Sequence, residues 1–346
     1  MLRGVQSRLS SSLKSQSVRL LASLFVMVLL LTLSLPGCIG QNAPTKTLQI
    51  GITQWPGFDV AIYAKEAGLF EKRGLDVEFV RFDNQQDSSR AVLRGRLDAA
   101  FTALWDILQS TPGEDQPAFI MVTNVSAGAD GIVTQPEFKS LEALKDKQVG
   151  VKLGTVNHLI WLEALDKYQI DPQTIEIQDV SNEIAAQMMS EGKLDGAVLW
   201  EPLLGEIAEE IQGNIPYTTK DLDSLVIDGL ISSVSTVQAK QAEFKQFVLA
   251  WFDLMHLLEV DPKPVFELVG QQLDISPEDF ANDYAGLEKG DIEMNRAMFQ
   301  ADGRLPEAML SMGELFEADP RHGRVIRDDI QINAEAVNQA IEIWKP

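Results

Sequence analysis

Two stretches of this 346-residue chain match each other, and that match limits the fold more than any other feature. Gly95-Arg-Leu-Asp-Ala-Ala-Phe101 corresponds to Gly192-Lys-Leu-Asp-Gly-Ala-Val198 at an offset of 97 residues. Gly51 and Gly150 correspond at an offset of 99. The surroundings match as well. Apolar runs Thr47–Thr53, Asp76–Arg81 and Leu97–Thr102 read as strands, separated by helical patterns near Val60–Ala67 and from a cap at Asp87 or Ser88 to Arg94. Gly68, Gly74 and Gly95 close the helical turns as left-handed caps. Lys147–Lys152, Ile175–Val180 and Leu194–Trp200 repeat the order, with one helix running to about Tyr168 and another from Ser181 or Asn182 to Glu191. Each copy is a β-α-β-α-β unit, so the expected fold is α/β with two similar lobes. Each lobe is a mainly parallel sheet wound with helices. Asp98 and Asp195 sit in matching turns and read as structural, bonding nearby backbone N–H groups.

The remaining segments fit around these units. Asp130–Thr134 and Leu225–Thr236 are extended, apolar and flank the second unit, so they are candidates for the two crossings between lobes. From Val237 onward the pattern is helical, and those helices are expected to pack on the first lobe. The domain reading is lobe 1 at 47–131 plus 232–346 and lobe 2 at 132–231.

The N-terminus reads as a targeting segment. Arg3, Arg8, Lys14 and Arg19 precede an apolar run, Leu20–Leu35, that ends in Leu35-Pro-Gly-Cys38. This pattern resembles a bacterial lipobox, which implies a signal peptide over 1–37, lipidation of Cys38 and a short polar tether over 38–46. Cys38 is the sole cysteine, so the mature chain has no thiol left for a disulfide, metal or nucleophile. Net charge is −22, and the leader holds four basic residues and no acid, so the mature part carries −26. So acidic a body is unsuited to nucleic acid, whose phosphates need a basic face, and suits a soluble monomer.

Ligands of open α/β sheets bind at the carboxyl ends of strands. The first such turn is Gln54-Trp-Pro-Gly-Phe58. Its counterpart, Gly154-Thr-Val-Asn-His158, stands where a helix begins. Free N–H groups and the helix dipole there can hold an anionic oxygen. Trp55, Trp105 and Trp200 are suited to form apolar walls around a small molecule. Glu201 points to a donor-rich or cationic ligand instead. His158 is either a packing and capping residue or a ligand contact, and no histidine spacing suggests a metal.

In order along the chain, Gly51–Phe58, Ala64-Lys-Glu-Ala-Gly-Leu-Phe-Glu-Lys-Arg-Gly-Leu-Asp-Val77, Gly95–Ala100, Val149–Gly154 and Gly192–Pro202 resemble the substrate-binding lipoproteins of ATP-driven importers. The group is the nitrate, sulfonate, taurine and pyrimidine-precursor binders. The resemblance covers about Thr47–Thr236 and implies a type II periplasmic-binding-protein clamp. Two lobes would close on a small organic or anionic solute and deliver it to an ABC transporter permease. The alternatives are an aminopyrimidine precursor as the solute, or a ligand sensor without a transporter. On matching positions the resemblance implies ligand contacts from Gln54, Trp55, Pro56, Gly57 and Phe58, and from Thr102, Ala103 and Trp105. The second lobe would add Gly154, Thr155, Val156, Asn157, His158, Trp200 and Glu201. Asn124 and Asp130 lie near the first crossing and complete the set. Trp55→Ala is expected to abolish binding with little loss of fold. The resemblance implies no cofactor, and it places the chain on a bacterial membrane facing the periplasm or cell exterior. A pyrimidine-forming enzyme family of similar fold carries a cysteine-rich segment that this chain lacks. Neither a Ser-His-Asp order nor a phosphate-binding Gly-x-x-x-x-Gly-Lys is present, so an enzyme is not expected.

Overall fold

The computed structural model describes residues 46–110, 115–221, 226–300, 303–318 and 326–346. The leader, Cys38 and all of the tether before Lys46 lie outside the described residues. No described helix is long and apolar enough to cross a membrane.

The first lobe starts with β1 (Lys46–Ile52), α1 (Pro56–Glu66), α2 (Leu69–Lys72), β2 (Leu75–Arg81), α3 (Gln85–Leu93), β3 (Ala99–Ala103), α4 (Leu104–Leu108) and β4 (Pro117–Ser126). The second lobe holds β5 (Asp130–Thr134), β6 (Gln148–Gly150), α5 (Val156–Lys167), β7 (Glu176–Gln178), α6 (Asn182–Ser190), β8 (Gly196–Trp200), α7 (Leu203–Glu210) and β9 (Asn214–Thr218). The chain then returns to the first lobe through β10 (Ile227–Ser233) and α8 (Val234–Ala239). Next come α9 (Gln241–Val260), α10 (Lys263–Leu273), α11 (Pro277–Ala285), β11 (Leu287–Lys289) and α12 (Ile292–Phe299). The last elements are α13 (Arg304–Ala318), β12 (Gln331–Ile332) and α14 (Glu335–Ile343).

Two helix starts fall earlier than the sequence pattern suggested. Helix α1 begins at Pro56, because Trp55 serves as its N-cap and proline suits a first helical position. Asp59 reaches back to accept the Trp55 backbone N–H at 3.1 Å. Helix α3 is capped by Asn84, whose side chain accepts the Asp87 N–H at 2.8 Å.

The first sheet has the strand order β11-β4-β10-β3-β1-β2, with β12 also paired to β4. The second has the order β7-β6-β8-β5-β9. The wound part of each is parallel, but β10 runs antiparallel to β3 and β4, and β5 runs antiparallel to β8 and β9. Both sheets are therefore mixed rather than mainly parallel. The reason is the route of the chain. A strand arriving from the other lobe enters without a helical crossover, and so it lies against the direction of its neighbours. The changes of sheet fall between Ser126 and Asp130 and between Thr218 and Ile227. The run from Leu225, expected to be a crossing, is mostly a central strand of the first sheet.

The internal match has a physical basis. A Cβ at Gly51 would stand 2.9 Å from Ser88 Cβ and 3.1 Å from Leu97 Cδ1. A Cβ at Gly150 would stand 3.1 Å from Ala185 Cβ and 2.8 Å from Leu194 Cδ1. Both partners are offset by 97 residues, so one glycine in each lobe lets a helix lie close on its sheet. Asp98 accepts the Gln49 N–H at 2.9 Å, and Asp195 accepts the Gln148 N–H at 2.9 Å. The structural reading of both aspartates is what the contacts show.

The core of the first lobe is aromatic. Phe58 stacks on Phe101 at 5.2 Å, and Phe70 stacks on Phe247 of α9 at 5.0 Å. Arg73 makes a two-pronged bond to Asp253 of α9, at 2.9 and 2.7 Å. Helices α10 and α11 cover α1. Helix α13 instead packs against both α4 and α5, so the C-terminal helices do not all rest on the first lobe.

Candidate functional site

Strand direction gathers the site. In a parallel sheet the residues just after β1, β3, β6 and β8 share one edge. An antiparallel strand places its first residue at that same edge. Register therefore sets Asp130, the first residue of β5, opposite Trp200 at the end of β8. In the same way it sets Asp228, the second residue of β10, opposite Ala103 and Asn124. The edges of the two lobes face each other across a small cavity. Gln54, Trp55, Gln85, Val226 and Asp228 line it from the first lobe, and Asp130, Val156 and Trp200 from the second. The space inside is about 10 Å³, room for about one water.

Five of the sequence-derived residues thus reach the cavity: Gln54, Trp55, Asp130, Val156 and Trp200. Several others stand directly behind it. The Trp55 indole donates to Asn124 Oδ1 at 3.2 Å, which fixes the ring in the wall. Gly57 permits this, since a Cβ there would lie 2.2 Å from Asn124 Nδ2. The Thr102 hydroxyl and the Ala103 N–H donate to Gln85 Oε1 at 3.1 and 2.6 Å and position that side chain. Asn157 donates to the Val198 carbonyl at 2.7 Å and anchors α5 on β8. Pro56 opens α1 and is buried. The Thr155 hydroxyl donates to the Lys152 carbonyl at 2.8 Å, within its own loop.

Other residues of the set are not brought to the cavity. Phe58 is fully buried in the aromatic stack. His158 and Trp105 are buried edge to face at 6.2 Å, joining α5 to α4 across the lobes. Of the two readings left open for His158, packing is the one its position matches. The Gly154 carbonyl accepts from Gln86 Nε2 at 2.7 Å, another link between lobes. Glu201 accepts the Gly205 N–H at 2.9 Å in the turn leading into α7.

The start of α5 differs most from expectation. Its Val156 N–H donates to Asp106 Oδ2 of α4 at 3.1 Å. The helix end that should hold a solute anion already holds a carboxylate of the protein itself. Trp55 is also more deeply set than expected, at 5% exposure and with its N–H engaged. Truncating a buried tryptophan costs about 3–5 kcal/mol, so Trp55→Ala cannot be read as a pure binding variant.

The cavity is acidic. Burial pushes Asp130 up to about 7, against a smaller opposing effect from Ser126. Burial, then the charges of Asp130 and Asp106, hold Asp228 well above the usual carboxylate range. Burial raises Glu201 to about 7, with Asp283, Asp130 and Glu206 adding to the rise. Among the described residues, no lysine, arginine or histidine lines the cavity. Among the described residues, no group of three or more His, Cys, Asp or Glu side chains is placed to hold a metal ion.

Sequence reasoning missed Gln85, Val226, Asp228 and Asp106. One signal was available. Asp130-Gly-Ile-Val133 and Asp228-Gly-Leu-Ile231 are the same motif, an aspartate and a glycine opening an apolar strand. The glycine serves close approach, for a Cβ at Gly131 would stand 2.6 Å from the Tyr217 carbonyl oxygen and one at Gly229 2.3 Å from that of Met121. The aspartate projects at the cleft edge in both lobes.

The family model described as the NMT1-like family matches residues 41–268, and the chain belongs to that family. It has the periplasmic-binding-protein fold. A Brucella abortus (strain 2308) protein described as a binding protein is 28% identical over 193 residues, which is 55% of this chain and 58% of that relative. The match thus spans somewhat more than half the length of that relative. The alkanesulfonate-binding protein SsuA of Xanthomonas axonopodis pv. citri, solved bound to MOPS, superposes with a TM-score of 0.66 at 16% identity, over 80% of this chain and 93% of its own. The ligand-binding component of an ABC-type import system from Staphylococcus aureus, solved with zinc bound, gives 0.69 at 15% identity, over 85% and 99%. The desulfurization enzyme DSZB shares the fold as well, with a TM-score of 0.59 at 14% identity, over 86% of this chain and 99% of its own.

Proposed function

We propose that this chain is an extracytoplasmic solute-binding protein. It captures a small solute between its two lobes and presents the closed form to an ABC transporter permease. The observation that carries this reading is the cavity itself, walled by strand ends from both sheets and lined with two tryptophans. A space of about 10 Å³ admits no organic solute, so the walls must part and close again around one. Such a hinge would lie where the chain changes sheet, with the strands β1 to β4 and β10 to β12 in one lobe and β5 to β9 in the other. Lipidation of Cys38 would hold the protein at the membrane as a monomer.

The family and the importer components among its structural neighbours support binding over catalysis, although DSZB shows that the fold also serves an enzyme. Sulfonates, taurine and nitrate form one candidate class of solute, and aminopyrimidines a second. The test is a thermal-shift screen of the purified protein against a broad small-solute library that includes both classes. Binding only to the closed native form raises Tm with solute concentration. If no small solute raises it, the reading is wrong.

A further inference from the structure

We infer that the cleft is built for a small organic cation bearing N–H donors, such as an amidinium or a guanidinium. The inference rests on the solute-binding reading above and names its class of solute. Asp130 and Asp228 are 2% and 3% exposed, and both line the cavity. Ser126 bonds the Asp130 carboxyl and Trp55 that of Asp228, but among the described residues the Oδ2 atom of each has no hydrogen-bond partner. One comes from each lobe, through the paired Asp-Gly strand starts, so closure brings two buried acceptors to one space. A buried carboxylate oxygen without a partner is costly, and two carboxylates that repel each other are more so. A cation with two N–H groups supplies both missing hydrogen bonds and the opposite charge. An anion supplies neither. Its natural seat, the N-terminus of α5, is closed by Asp106. Trp55 and Trp200 line the same cavity, and indole rings attract cations. A bare metal ion fits less well, since among the described residues no three ligating side chains converge.

The purified protein is tested by thermal shift at pH 7.5 with benzamidine, agmatine and acetamidine, and in parallel with methanesulfonate and nitrate. The inference predicts that at least one N–H cation raises Tm by about 3 °C or more at saturating concentration, and that the anions do not. Asp130→Asn and Asp228→Asn should each remove the shift while circular dichroism shows the native fold. A response to methanesulfonate or nitrate alone overturns the inference but leaves solute binding standing. A cation response that persists in the double Asn variant overturns it too, because the site would lie elsewhere. Failure of all three cations also overturns it, while the broad library screen judges solute binding separately.

Discussion

Asp130 shows how a single residue can oppose stability and serve a site. Its ordinary carboxylate value of 3.8 is raised to about 7 by burial. Between those values the folded state binds more protons than the unfolded state, so stability falls as pH rises through that window. The full penalty at alkaline pH is on the order of 4 kcal/mol. Asp130→Asn should therefore raise Tm at pH 8, with the gain shrinking towards pH 4. Thermal unfolding at pH 4, 6 and 8 measures this, and a gain that does not change with pH would refute the account. Legibility at this scale followed position. Trp55, Trp200 and Asp130 stood out because aromatic or charged groups bounded apolar runs. Asp228 is preceded by Val226 and Ile227 and followed by Gly229-Leu-Ile231, so the apolar run hides it in the sequence. Phe58 lies in the turn of the first strand yet stacks on Phe101 in the core, because chain position does not show which way a ring turns.

At the scale of elements, glycine contacts hold the two lobes to one design. Gly51→Ala and Gly150→Ala should each cost about 1–3 kcal/mol by overpacking a helix against its sheet. Urea unfolding checks this, and a neutral result at both positions would remove the packing explanation of the repeat. The Asp106 to Val156 bond can be tested in the opposite sense. Asp106→Ser should free the start of α5, so that sulfate raises Tm in the variant and not in the wild-type protein. Equal sulfate responses would show that Asp106 does not occupy an anion seat. Most element types and several boundaries were readable, because glycine caps and apolar periods are local signals. Strand direction was not, and neither were the short strands β11 and β12. Pairing between β10 and β4 joins residues about a hundred positions apart, and no local pattern records it.

At the scale of the molecule, a repeated unit and a returning strand build two edges that meet. Each lobe adds an acid and a tryptophan to the cavity, and each sheet keeps the edge rigid. Bonds from Asp106 and Gln86 to the second lobe, and the packing of α13 on α5, hold the closed arrangement. The two-lobe plan was legible from the repeat, but the sign of the cleft was not. That depends on strand starts converging in space. The most direct test of a clamp with two working walls is isothermal titration with the solute that gives the largest thermal shift. Wild-type protein should bind one solute per chain. Trp200→Ala, in the second lobe, and Asp228→Asn, in the first, should each weaken binding at least about tenfold, roughly 1.4 kcal/mol. Affinity left intact in both variants would contradict a site between the lobes.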